Sequence, residues 1–283
     1  MKTNRIILNA CLIIAASALM LTGCKKEEED TNTSASSDNA FAEATFSDVT
    51  NISDEAGTSG SLSNYRTGPA AEDGILTSCA TITFDSVNGA DQDTLHINFG
   101  PNNCIGNDGR NRRGEIIVYY SGGYRDVGSV HTITFNNYFV NDHQVLGTKT
   151  VTNLGPNNAG HLVYDINVNG QIVLANNAGT ITWVSQRQRE WVQGESTPLW
   201  NDDVYSITGS ASGTGSDGHT FTATITSALI RNMSIGCRRH FVQGIVELTP
   251  DNRPMRTIDF GNGTCDDVAT VTINNHAYTI HLR

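Results

Sequence analysis

The stretch "TLHINFGPNNC" (94–104) returns near the end of the chain as "MRTIDFGNGTC" (255–265). Both copies carry Ile-[Asn/Asp]-Phe-Gly-x-x-x-Cys: Ile97, Asn98, Phe99, Gly100 and Cys104, then Ile258, Asp259, Phe260, Gly261 and Cys265. Each follows a β-branched segment opened by another cysteine. Cys79 stands 104 − 79 = 25 residues before its partner copy, and Cys237 stands 265 − 237 = 28 before. Read as a hairpin, each unit has its first cysteine opening strand one and its second just past strand two. Those ends are neighbours in an antiparallel pair. Four cysteines allow three pairings. The repeat selects Cys79–Cys104 and Cys237–Cys265, each worth ~2–4 kcal/mol. Gly100 and Gly261 let the backbone turn towards the cysteine.

The same texture fills the chain between the copies. "CATITF" (79–84), "EIIVYY" (115–120), "VHTITF" (130–135), "HTFTATIT" (219–226) and "VATVTI" (268–273) alternate or run β-branched. Turn formers such as "NDGRN", "NNAG", "GSDG" and "PDNRP" separate such segments. Residues 79–283 therefore read as a single all-β domain, an antiparallel meander closing as a sandwich or barrel and stapled by two disulfides. Ahead of it, "DNAFAEATFSDVTNISDEAG" (38–57) places Phe41, Ala42, Phe46, Val49 and Ile52 near helical spacing. It predicts one short amphipathic helix within 38–56, packed on the body, with Asp38 as cap and Gly57 as stop. Residues 24–37 are charged, then Ser/Thr/Asn-rich, a flexible tether, and 57–78 read as a linker.

The N-terminus carries an address. Lys2 and Arg5 precede the apolar run Ile6–Leu21, the n- and h-regions of a signal peptide over 1–23. The run is shorter than the ~20 residues of a spanning helix. Leu21-Thr22-Gly23-Cys24 resembles the lipobox of bacterial lipoproteins. That resemblance implies acylation of Cys24, cleavage before it and acylation of the new amino group. The "KKEEED" that follows (25–30) is similar to the export signal of Bacteroidetes surface lipoproteins, where lysine and then acids follow the cysteine. A solvated spacer is the plain alternative.

The chain has 18 basic and 29 acidic residues. Residues 79–283 hold 13 of the basic and 18 of the acidic ones, net 13 − 18 = −5, so much of the excess acid precedes the body. Nucleic acid is not an expected partner, because phosphate binding needs a basic face.

Two stretches are candidate ligand sites. In "TWVSQRQREWV" (182–192), read as a strand, Trp183, Arg187, Arg189 and Trp191 share one face with Ser185. They could stack on and hydrogen-bond a sugar or an acidic group, or the tryptophans could tuck into the core. In "CIGNDGRNRRGE" (104–115), Arg110, Arg112 and Arg113 lie on a Gly-rich turn that could capture carboxylate or phosphate. A hairpin tip with solvated charge is the plainer reading. The turn lacks the setting of a P-loop. Asp91/Asp93, Asp202/Asp203 and Asp266/Asp267 are carboxylate pairs, none in a calcium-loop pattern. The eight histidines show no metal motif, no nucleophile elbow is present, and no cofactor is called for.

"INFGPNNCIGNDGRNRRGEI" (97–116), "TITFNNYFVNDHQVLGTKTVTN" (132–153), "DDVYSITGSASG" (202–213) and "IDFGNGTCDDVATVTIN" (258–274) together resemble a family of uncharacterised Bacteroidetes lipoproteins. The resemblance implies an exported, β-rich lipoprotein and brings no activity with it. The expectation is an outer-membrane, lipid-anchored protein, surface-exposed rather than periplasmic. It would bind a glycan or partner protein without catalysis. A ligand-free structural envelope protein and a glycoside hydrolase-like enzyme are the second and third readings.

Overall fold

A computed structural model describes residues 29–59, 74–85, 93–197 and 199–283. The expected signal peptide, Cys24, the first residues of the expected tether (25–28) and most of the expected linker (60–73) lie outside them. Residues Thr31–Arg283 form one compact unit.

Fourteen strands form one antiparallel sheet. The first group is β1 (Thr81–Asp85), β2 (Asp93–Asn98), β3 (Cys104–Ile105), β4 (Asn111–Tyr120) and β5 (Val130–Val140). Then come β6 (His143–Pro156), β7 (Leu162–Val173), β8 (Thr180–Gln193), β9 (Val204–Thr214) and β10 (Thr220–Asn232). The last are β11 (Gln243–Pro250), β12 (Arg256–Asn262), β13 (Val268–Ile273) and β14 (His276–His281). Each strand pairs with its neighbours in the chain, except that β2 skips to β4, on which β3 adds a short side pairing. Among the described residues no pairing joins β1 to β14, so the meander is one open, curled sheet. The all-β antiparallel expectation holds.

Period-two alternation sets the inner face. In β8, Ile181, Trp183, Ser185, Arg187, Arg189 and Trp191 are buried, and the residues between them face outward. Asn141–Asp142 and Asn274–Asn275 join their strands with both residues at positive φ, the two-residue turn whose twist suits a hairpin. Both disulfides pair as the repeat predicts, with Cα separations of 5.8 Å for Cys79–Cys104 and 4.6 Å for Cys237–Cys265. Gly100 and Gly261 have φ of 77° and 92°.

The helix departs from expectation. α1 runs Ser34–Ser59, so it takes in the last residues of the expected tether and the first of the linker. Asn32, not Asp38, accepts the Ser34 N–H at 2.8 Å in the manner of a cap, and the helix passes through Gly57. It lies inside the curl of the sheet, not on its surface. Phe41, Phe46, Val49 and Ile52 are buried, and so are Asp38, Glu43, Asp48, Asp54 and Glu55. Inward side chains from strands along the whole path share one core with α1. Phe46 stacks on Trp183, with centroids 5.6 Å apart and planes at 3°. β7 makes room for that ring with Gly170, where a Cβ would stand 2.2 Å from Phe46 Cζ. At the far end, Glu55 accepts the N–H groups of Ile75 (2.6 Å) and Leu76 (2.8 Å), tying the returning chain to the helix.

Gly170→Val is expected to lower stability by about 1–3 kcal/mol, since the stacked Phe46 has nowhere to retreat. Urea unfolding of the variant checks it; a loss below about 0.5 kcal/mol would be the surface value and would place Phe46 elsewhere.

Candidate functional site

α1 carries five acids, Asp38, Glu43, Asp48, Asp54 and Glu55, and no base. A buried carboxylate needs a partner, and the inner face of the sheet supplies it. Glu43 and Asp54 are 54 − 43 = 11 residues apart, about three turns, so both face one side. There they meet alternate residues of β8. Arg187 grips Glu43 through Nε at 3.1 and 3.2 Å and through a terminal nitrogen at 2.5 Å. Arg189 pairs with Asp54 at 2.9 Å, donates to the Tyr124 hydroxyl, and lies 4.3 Å over the Tyr205 ring. Trp183 Nε1 donates to Asn39 at 3.1 Å. Trp191 Nε1 and the Tyr205 hydroxyl both donate to Asp203, at 3.1 and 3.0 Å.

Trp183, Arg187, Arg189 and Trp191 thus share the face expected of them. That face binds the protein's own helix, so it is not a ligand surface. Burial of the tryptophans was one of the two alternatives; the arginines follow them inward because the helix presents carboxylates.

The arginine turn is split by the same logic. Arg110 and Arg112 are buried, contrary to both the ligand reading and the solvated-tip reading. Arg112 binds Asp48 at 2.7 Å and Asp108 at 2.6 Å. Burial alone would raise the Asp48 carboxyl, but Arg112 and Arg110 outweigh it and hold its pKa at about 2. Asp203 and Asp202 are likewise occupied, Asp202 by the Thr197 hydroxyl at 2.8 Å. Lys149 is buried with its ammonium on the Phe46 carbonyl at 2.6 Å. Burial first, then Arg189 and Arg187, push its pKa down to about 7 against the opposing pull of Glu43 and Asp54. Beside it lies a cavity of about 20 Å³, lined by Glu43, Lys149, Ser185 and Arg187. That is room for about one water, too little for a sugar ring.

Of the three, Arg113 alone turns outward. That follows from the alternation of β4 after buried Arg112; the register shift opposite it is a bulge that puts an extra residue in β5, which exposes Asn136 and Asn137 together. Gly114 sits in that bulge at φ 82°, where a Cβ would stand 1.9 Å from the Asn137 carbonyl oxygen. The Arg113 guanidinium lies 3.9 Å over the Phe139 ring, donates to Asn103 at 3.0 Å and pairs with Asp142. Next to it Glu115 is held from both sides. His96 Nδ1 meets one oxygen at 2.8 Å, and Asn136 Nδ2 donates to the other at 3.1 Å. His96 Nε2 faces Asp85 at 3.4 Å. Arg113, Glu115, Asn136 and Phe139, with Asn98 and Asn137, line an open groove of about 500 Å³ across β2, β4 and β5. Among the described residues its lining contains one carboxylate, Glu115.

Arg113 is a candidate from the sequence; Glu115, Asn136, Asn137 and Phe139 are not. Their signal is faint: "NN" in the middle of β5 and a glycine between "RR" and "E" in β4, both marks of a bulge. Among the described residues no group of three His, Cys, Asp or Glu side chains is placed to hold a metal ion. No family model, curated protein or solved structure matches the chain.

Two outcomes are expected. Arg187→Met alone strands a buried Glu43 and costs about 3–5 kcal/mol, while Glu43→Met with Arg187→Met regains most of it; a denaturation cycle of the three variants reads this. For Lys149, above a pH of about 7 the folded protein has released the proton that the unfolded chain keeps up to about 10.5. Stability from this group therefore rises as pH increases through that window and is flat below it. Unfolding midpoints against pH should show the slope in the native protein and not in Lys149→Met.

Proposed function

We propose that the protein is a lipid-anchored lipoprotein of the outer membrane, displayed on the cell surface, whose β-body binds a glycan without catalysis. The observation that carries the binding reading is the groove beside Glu115. It is wide enough for more than one sugar ring and lined by amides, a pre-oriented carboxylate and a guanidinium. Planar groups of this kind offer donors and acceptors together, as sugar hydroxyls require. Glu115 has its orientation fixed by His96 and Asn136, so little ordering is left for a ligand to impose. The anchor reading is supported by the lipobox-like Leu21-Thr22-Gly23-Cys24 and the acidic run after it. A hydrolase of the two-carboxylate kind needs a facing pair across the cleft; the groove lining offers Glu115 alone among the described residues.

The second reading, a ligand-free structural envelope lipoprotein, draws on the outer faces of other strands. In β10, Thr220, Thr222 and Thr224 are exposed in a plain polar row with no aromatic among them.

Three measurements separate the readings. Cys24→Ser should release the protein from membranes; retention would sink the anchor. Protease added to intact cells should degrade the body, and protection until lysis would make it periplasmic. The purified protein on a glycan array should bind at least one oligosaccharide class, with affinity reduced about tenfold by Asn136→Ala, as for loss of one good polar contact. Binding of a surface protein instead would replace the glycan as partner; no binding of either kind would favour the structural reading.

A further inference from the structure

The groove beside Glu115 has a neighbour. Arg113 lines the first groove, Asp142 lines the second, and the ion pair between them is a wall the two share. The second groove has a volume of about 650 Å³. Its lining runs from the β5–β6 turn, with Asn141, Asp142 and His143, to the β7–β8 connection, with Asn176 and Ala178, and Arg283 closes one side. Either volume is in the range of a small-molecule site, ~300–1,000 Å³. β5 passes from one groove to the other. Asn136, Asn137 and Phe139 line the first, and Asn141 follows at the turn in the second. From Asn136 to Asn141 an extended strand rises about 15 Å.

The second groove is polar, and its charges are already matched. His143 Nδ1 accepts the Ala175 N–H at 3.0 Å, so the neutral ring carries its hydrogen on Nε2, as a donor. Burial first, then Arg283, hold its pKa below the usual histidine range against the pull of Asp142, so it stays neutral at pH 7. Arg283 lies over the Phe41 ring, 5.5 Å from its centroid, and faces Asp38 at 4.0 Å. Across both linings the ionised groups are Arg113 and Arg283 against Glu115 and Asp142, 2 − 2 = 0. Behind them Asp38 and Asp85 add negative charge, with His96 between Glu115 and Asp85. Arg110 is bound to Asp48 and to the Arg239 and Arg283 oxygens. An anion would meet no cation in either lining that lacks an acidic partner. Among the described residues Phe139 is the one Phe, Tyr or Trp of the two linings, and it lies under Arg113. That leaves little apolar surface for a peptide side chain to bury against.

We propose that the two grooves form one track for a linear, uncharged oligosaccharide that crosses the Arg113–Asp142 pair. This rests on the glycan reading of the first groove and adds to it a second site, a chain length and a charge class. Side-chain amides recur along the track, at Asn98, Asn136 and Asn137 and then at Asn141 and Asn176. Each offers donor and acceptor together, so a chain of repeating hydroxyls can make similar contacts at successive sugars. The pair at the crossing adds donors from Arg113 and acceptors from Asp142. Once one groove holds the chain, entry of the rest into the other is intramolecular. Affinity therefore grows with chain length until both grooves are filled.

The test is titration calorimetry of the purified, full-length protein with cello-, xylo- and manno-oligosaccharides, each from disaccharide to octasaccharide, and with oligogalacturonates of matching length. At least one neutral series is expected to bind, with affinity rising about tenfold or more from trisaccharide to hexasaccharide, and the acidic chains more weakly. Asn176 is exposed at φ 57°, so Asn176→Gly removes its amide without backbone strain. That variant should shrink the ratio of hexasaccharide to trisaccharide affinity about three- to tenfold, as for one net hydrogen bond. Should it fail to fold, Ala178→Leu, which narrows the second groove from an exposed position, should shrink the same ratio. A ratio near one in every neutral series that binds, a ratio neither variant moves, or a preference for oligogalacturonate would overturn the proposal and leave the glycan reading of the first groove standing. No binding by any series would overturn the proposal, and with an empty glycan array the first groove's reading as well.

Discussion

Five carboxylates on a helix without a single base are the constraint from which the rest of the molecule follows. Buried as they are, each needs a cation or a cluster of donors, and they do not lie on one side. Glu43 and Asp54 face β8. Asp48 and Glu55 are 55 − 48 = 7 residues apart, about two turns, and face the β4 side and the returning chain at Ile75. Asp38 takes the Ser216 N–H and hydroxyl at the β9–β10 turn, both at 2.7 Å. Partners that arrive from several directions require a sheet that goes round the helix. A flat sheet with the helix on one face would leave some of these charges in an apolar layer or in water, and the arginines of the sheet without their counterions. Such buried pairs add less net stability than their geometry suggests, because desolvation offsets most of the attraction. They make mismatched registers unfavourable, since a slip of one residue in β8 would turn Arg187 and Arg189 outward and strand Glu43 and Asp54.

Satisfying the helix also decides what is left for the outside. Arg110, Arg112, Arg187 and Arg189, and the tryptophans of β8, are spent in the interior, where the cavity beside Lys149 holds about one water. The outer face is mostly Thr, Ser, Gln and Asn. It departs from that plain character at the β4–β5 bulge, where an extra residue in β5 exposes Asn136 and Asn137 together and Phe139 lies under Arg113, beside Glu115. The groove therefore exists because of a local break in the ladder, a common way for a sheet to build a site without losing its core.

Much of the fold is legible in the chain of residues alone. Period two marks a strand from its own residues, and a hairpin brings together positions that are close in sequence. So the β class, the meander and both disulfides can be read from "INFGPNNC", "IDFGNGTC" and the strands before them. The shared face of Trp183, Arg187, Arg189 and Trp191 is legible for the same reason. The helix is visible through Phe41, Phe46, Val49 and Ile52, but its extent is not. Its amphipathic reading leaves the acids on a wet face, on the assumption that a charged residue seeks water.

That assumption is where local reading ends. Whether a carboxylate faces solvent or an arginine depends on a partner far away in the chain: Glu43 and Arg187 are 144 residues apart, and Asp48 and Arg112 are 64 apart. The amino-acid sequence by itself determined the strands, their order, the cystine pairs and the presence of a helix, because each is set by neighbours within a few tens of residues. Only the tertiary structure decided that the helix lies inside the sheet, that the candidate arginines serve it, and that the exposed groove forms beside Glu115. Each of those depends on which distant charges meet once water has been excluded from between them.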